Sequence, residues 1–177
     1  TGVVMSHDSS STLAAATVNH TVSDYLSCVQ IVMVNTTLPA NIGSAARAMH
    51  TMGLSRLTVI DPKLPIDETS VSHAAGGSDL LSSATIAPTL ESAIADCQLV
   101  FAASSRSRHL PRPVVTPTQA AKIMFDFIDK QTALDVADNN ESIKLSENAQ
   151  STNKPNIAIL FGREDRGLTN EELAYAD

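Results

Sequence analysis

Four apolar runs mark out the chain: "VQIVMV" (29–34), "LTVI" (57–60), "LVFAA" (99–103) and "NIAILF" (156–161). They are close to continuous rather than alternating, as in strands covered on both faces. A weaker run, "ATIA" (84–87), predicts a fifth, short strand. Helical spacing fills the segments between. In residues 38–53, Ile42, Ala45, Ala46, Met49 and Met52 recur at intervals of three and four and form one apolar stripe, with Gly53 at the C′ position. The Ser/Ala/Gly-rich stretch 69–83 predicts a helix. So does "TLESAIADC" (89–97), with Thr89 as N-cap and Glu91 in the first turn. Thr116-Pro117-Thr118-Gln119 is a capping box with proline at the first helical position, opening a helix to about Asp129. Thr169-Asn170-Glu171-Glu172 is a second capping box. Strands alternating with helices predict an α/β domain, a mainly parallel sheet flanked by helices. In such domains ligands gather at the carboxyl ends of the strands.

Two stretches break this rhythm. Residues 1–27 are rich in Ser, Thr, Ala and His without a sustained period. They read as a disordered tail, with "TGVV" appended before Met5, and leave a domain over 28–177. Residues 131–154 are acidic, rich in Asn and Ser, and poor in apolar residues, which predicts a mobile acidic insertion within that domain.

Composition narrows the classes. Aromatic residues make up 3% of the chain and Trp is absent, so aliphatic side chains must build the core. The net charge of −7 weighs mildly against a nucleic-acid partner, but its distribution leaves room for a local basic patch. Over residues 29–115, Arg47, Arg56, Lys63, Arg106, Arg108 and Arg112 are matched by as many acidic residues, and the acidic excess lies in 126–147 and after 163. Cys28 and Cys97 show no CxxC or metal-ligand spacing, and no metal is expected. No run reaches membrane-spanning length, and no Lys or Arg precedes Arg47 to form the basic start of a signal peptide. These features point to a cytoplasmic protein with no membrane partner.

The unusual residues fall in the loops that leave strand ends. In the first, Arg47 lies off the apolar stripe, beside Gly43, Ser44 and Thr51, so small neighbours leave room for a ligand. Asn41, just before the helix, can cap it or bond a ligand. The second loop, "ASSRSRHLPRP", places Arg106, Arg108 and Arg112 within seven residues, a cluster suited to phosphate oxygens; Ser104 and Ser105 sit at the strand end. The third, "FGREDRGLTNEEL", contains GxxxxG, but Leu168 stands where a P-loop needs Lys, and no GxGxxG occurs anywhere. Here Gly162 permits close approach of a ligand to the backbone, Gly167 supplies a turn, and Glu164 either pairs with a nearby arginine or is solvated.

Together "NIGSAARAMHTMGL", "SSRSRHLPRP" and "LFGREDRGLTNEEL" resemble the SPOUT-class RNA ribose 2′-O-methyltransferases (SpoU/TrmH-like), nearest to the TrmJ type that acts on position 32 of tRNA. The resemblance spans about residues 29–177 apart from the acidic insertion. It implies a trefoil-knotted α/β fold, S-adenosyl-L-methionine as cofactor, tRNA as substrate and action as a homodimer. By position, Arg47 and Asn41 correspond to the catalytic pair. Ala103, Ser104, Ser105, Gly162 and Glu164 correspond to the cofactor pocket, and Arg106, Arg108 and Arg112 are candidates for RNA contacts. The family's third motif, which completes the knot, would follow Asp177, so a truncated C-terminal end is expected. Two alternatives stay open: ribosomal RNA or another tRNA position as the target, and an RNA-binding module of the same fold without catalysis.

Such chemistry is an in-line displacement in which a ribose oxygen loses its proton while taking a methyl group. Arginine stays protonated in proteins, with a pKa above about 12, and makes a poor general base. The role its chemistry suits is stabilising the forming oxyanion and holding the adjacent phosphate. For that role Arg47 must face the crevice beside the Ser104 and Gly162 turns.

Overall fold

The computed structural model describes residues 20–104, 112–142 and 154–177. Its centre is a five-stranded, wholly parallel sheet: β1 (Val29–Val34), β2 (Arg56–Ile60), β3 (Thr85–Ala87), β4 (Leu99–Ala102) and β5 (Ile157–Phe161), in the order β3-β2-β1-β5-β4. The strands follow the apolar runs. The first three step outward in one direction; the chain then crosses to the far edge for β4 and returns to insert β5 beside β1. The direction of winding reverses there, which is where parallel sheets open a crevice.

Helices are α1 (Val22–Ser27), α2 (Pro39–Met52), α3 (Glu68–Ala74), α4 (Ser78–Ser82), α5 (Leu90–Ile94), α6 (Pro117–Ser142) and α7 (Asn170–Leu173), with a 3-10 turn at Ala75–Gly77. Successive strand residues point to opposite faces, so each strand feeds two cores. On one face Ile31, Leu57, Val59 and Ile157 pack with Ile42, Ala46 and Met49 of α2 and with Ile128 of α6. On the other, Val32, Val34, Val100 and Leu160 pack with Leu90 and Ile94 of α5 and with Leu168 and Leu173. Gln30, the polar residue of β1, is buried but satisfied, since its amide donates to the Ala93 carbonyl at 2.9 Å.

Both capping boxes form. Thr116 and Gln119 bond reciprocally at the start of α6, as do Thr169 and Glu172 at α7. Gly53 ends α2 in the left-handed region, at φ 77°.

Four sequence expectations need correction. The tail does not extend to residue 27: Thr21 and Asp24 form a capping box that starts α1, and Tyr25 packs edge-on against Phe125 while its hydroxyl donates to Asp129. The segment 131–154 is not irregular from its start, because α6 continues to Ser142; good helix formers such as Gln131, Ala133 and Leu134 let it propagate past the expected stop. The remainder of that insertion, and most of the expected N-terminal tail, lie outside the described residues. Met52 is 57% exposed rather than in the core, since the stripe drifts off the sheet in the last turn of α2. Asn41 is not ahead of α2 but inside its first turn, because Pro39 at the first helical position starts the helix earlier.

Candidate active site

The loop after β5 turns back on itself. Gly167 adopts φ 70°, its N–H donates to the Arg163 carbonyl at 2.8 Å, and residues 163 and 167 form a short antiparallel bridge. Residues 163 and 165 then face one way, where the Arg163 guanidinium grips the Asp165 carboxylate through two bonds of 2.9 Å. Glu164 faces the other way, toward the loop after β1. Its carboxylate accepts from the Thr37 N–H and hydroxyl, the latter at 2.7 Å, and from the Asn41 side-chain amide at 2.8 Å. The sequence left Glu164 between an arginine partner and solvent; the structure leaves it exposed but bonded to Thr37 and Asn41 rather than to an arginine, because the tight turn sends neighbouring side chains to opposite sides.

This carboxylate straps the β5–α7 loop to the start of α2. Partial burial works against its ionisation, but the bonds from Asn41 and Thr37 outweigh that and bring its pKa from 4.5 down to about 2. A carboxyl whose pKa is lowered by folding adds stability above its unfolded value, and that contribution disappears as pH falls from about 4.5 toward 2. Glu164→Gln keeps the shape but sets an amide N–H₂ against donors. Its thermal midpoint is therefore expected below that of wild type at pH 7, with the gap closing at pH 2–3. A gap independent of pH would show that the strap does not carry the effect.

Beside the strap lies an open pocket of about 260 Å³ between the ends of β4 and β5, lined by Ala103, Ser104, Phe161 and residues 162–168. Four of the positions assigned to the cofactor from sequence, Ala103, Ser104, Gly162 and Glu164, share its wall. Gly162 also serves a purpose that the sequence did not show. A Cβ there would stand 2.2 Å from the Leu168 nitrogen and 2.3 Å from the Gly167 carbonyl carbon, so the close approach it permits is that of the chain's own returning loop. Asn41 joins this wall through Glu164. A larger cavity, about 480 Å³ around Cys97 and Asn156, lies at the amino ends of β4 and β5, away from these groups.

Arg47 is placed differently. It is the ninth residue of α2, two turns beyond its start rather than near it, is exposed, and does not line the pocket. Among the described residues no carboxylate lies within ion-pair distance of it. Arg112 donates to the Ala174 carbonyl at 2.7 Å and so fastens the end of α7. Ser105, Arg106 and Arg108 lie outside the described residues. Among the described residues no group of His, Cys, Asp and Glu is arranged to hold a metal ion, and no helix is long and apolar enough to cross a membrane.

Residues 28–177 match the model of the SpoU rRNA Methylase family. The chain belongs to that family. A curated relative, tRNA (cytidine/uridine-2′-O-)-methyltransferase TrmJ of Escherichia coli (strain K12), is 39% identical over 145 residues, covering 82% of this chain and 49% of the relative. Among solved structures, a probable methyltransferase from Bordetella pertussis Tohama I aligns with a TM-score of 0.70 and 30% identity over 87% of this chain and 80% of that one. TrmJ from Z. mobilis ZM4 aligns with a TM-score of 0.64 and 32% identity, over 83% and 55%. The chain spans about half the length of the curated relatives it matches.

Within this SpoU domain, sequence reasoning missed Thr37 and Phe161. Thr37 belongs to the polar run "NTT" that directly follows β1, the one available signal. Phe161 is the last residue of an aliphatic strand, 42% exposed at the pocket wall; its exposure at a sheet's carboxyl edge follows from the strand ending there and from nothing in the local pattern.

Proposed function

We propose that this domain transfers a methyl group from S-adenosylmethionine to the 2′-hydroxyl of a tRNA ribose, at position 32 of the anticodon loop, acting as a homodimer of the knotted form of the fold. The observation that carries the proposal is the convergence of Ala103, Ser104, Gly162 and Glu164 on one pocket at the carboxyl edge of the sheet, strapped by Glu164 to the helix bearing Arg47. The pocket suits part of such a cofactor. At about 260 Å³ it falls just short of the roughly 300–1,000 Å³ usual for small-molecule sites, and the wall offers small residues, backbone polar groups and the Ser104 hydroxyl. When bound, S-adenosylmethionine supplies a methyl group already activated on a sulfonium.

The protein's own groups do the rest. Ala103, Ser104 and the 162–168 loop hold the donor, and Glu164 fixes Asn41 at the start of α2. Arg47 does not meet the expectation of facing the crevice: it stands outside the pocket wall, so it would act on the ribose oxygen and the neighbouring phosphate only where bound RNA spans from the pocket to α2, stabilising charge there while water or another group takes the proton. Arg106 and Arg108 bind the RNA backbone; Arg112 divides its guanidinium between Ala174 and that task. The same chemistry and sequence character favour a cytoplasmic setting.

Titration calorimetry with S-adenosylmethionine, followed by methyl transfer to bulk tRNA and mapping of the modified nucleotide, tests the proposal. Saturable binding and a 2′-O-methyl at position 32 are expected. Absence of cofactor binding, or methyl transfer confined to ribosomal RNA, would overturn it.

A further inference from the structure

The face of α2 that carries Arg47 is not an isolated surface. Gly43, Arg47 and His50 follow one another at intervals of four and three, and so share one edge of the helix. The segment α3–turn–α4 lies directly against that edge. A Cβ on Gly43 would stand 2.1 Å from the Ser70 carbonyl oxygen and 2.9 Å from the His73 Cβ; one on Gly77 would stand 2.6 Å from the Ala46 carbonyl oxygen and 3.1 Å from the Arg47 nitrogen. One on Gly76 would touch the His50 ring, 3.4 Å from Nε2. The missing side chains bring the two backbones together, and His73, Arg47 and His50 line the resulting seam, all three exposed. Ala75, in the turn, takes φ 48° and ψ −120°, a strained conformation for an L-residue, held by the packing on either side.

The seam carries the Arg47 guanidinium between two imidazoles, and no ion pair forms along it among the described residues, although α3 and α4 also bear the exposed carboxylates Glu68 and Asp79. The three ion pairs among the described residues, Lys63–Asp61, Lys122–Asp126 and Arg163–Asp165, all lie elsewhere. Asp67 is committed to capping α3. The His73 Nδ1–H donates to the Thr69 carbonyl at 2.8 Å, which leaves Nε2 as the ring's other polar atom. A basic edge left open on a chain of net charge −7 calls for an anionic partner. From Gly43 to His50 the helix rises about 10 Å, over which a stacked nucleic-acid strand passes about three phosphates.

We propose that the seam between α2 and the α3–turn–α4 segment is a track for the sugar-phosphate backbone of the RNA substrate, with His73, Arg47 and His50 as successive phosphate contacts. This rests on the proposed RNA methyltransferase function and adds His50 and His73 to it as substrate-positioning residues. The track begins at the end of α2 that holds Asn41, next to the pocket, and leads away from it.

Binding of bulk tRNA by the full chain, followed across a salt series, tests the track. His50→Lys places a fixed charge on it and is expected to steepen the slope of log K against log salt by about 0.7. His50→Glu is expected to weaken binding about fivefold or more. Ala95→Lys, at an exposed position after α5 on the opposite face of the sheet, is the control and should leave the slope unchanged. His73→Asn, whose amide can donate the bond that Nδ1 makes, is expected to raise KM for tRNA and leave S-adenosylmethionine affinity intact. Slopes equal for His50→Lys and wild type, with methyl transfer to tRNA intact, would overturn the track and leave the function standing. Failure of the wild-type chain to bind tRNA at any salt would overturn both.

Discussion

Arg47→Lys is expected to lower methyl transfer at least about a hundredfold while leaving the thermal midpoint and S-adenosylmethionine affinity within error of wild type. Stability should hold because Arg47 is exposed and makes no ion pair among the described residues. The loss follows from shape, since charge is conserved. A guanidinium presents a planar fork that can bridge an oxyanion and a phosphate oxygen together, whereas an ammonium is a single point on a flexible stem. Because Arg47 stands outside the pocket wall, its contribution must be made to the RNA. The fall should therefore appear in kcat and in KM for tRNA, and not in cofactor binding. Near wild-type turnover in Arg47→Lys would remove Arg47 from the mechanism.

The largest effect on the pocket itself is expected from Gly162→Ala. The added methyl would meet the backbone at Leu168 and Gly167, at 2.2–2.7 Å, and backbone cannot step aside as a side-chain tip can. The loop must move, and it carries Leu168, 2% exposed in the second core, and the Arg163–Gly167 bridge. A cost of about 2–4 kcal/mol in denaturant unfolding is expected, together with loss of S-adenosylmethionine binding. Gly167→Ala is the comparison. Nothing lies within 4 Å of its Cβ position, so only its φ of 70° opposes the change, at about 1–2 kcal/mol. Equal effects of the two substitutions would show that conformation, and not the crossing of the two backbones, fixes Gly162.

Local rules found most of the elements, though not α1 or the full length of α6. Apolar runs of four to six residues bounded by polar loops are too short for ordinary helices and fit buried strands, and the two capping boxes read from sequence form where hydroxyl and amide or carboxyl residues stand three apart. The loops that carry the site follow from the same parallel-sheet logic. The motifs also sorted Ala103, Ser104, Gly162 and Glu164 into one group, and the structure assembles that group.

What the sequence by itself determined, then, was the strand-helix alternation and two of the helix caps, because each is set by periodicity or by residues within one turn of each other; the grouping of Ala103, Ser104, Gly162 and Glu164 came from the family resemblance. Only the tertiary structure decided that Glu164 bonds Thr37 and Asn41, more than a hundred positions earlier in the chain, and that Gly162 makes room for its own loop. It alone decided that Arg47 lies off the pocket, on a seam with His50 and His73. Those outcomes depend on β5 being inserted beside β1 and on α3 pressing against α2. Contacts between segments so distant in sequence leave no local period to read.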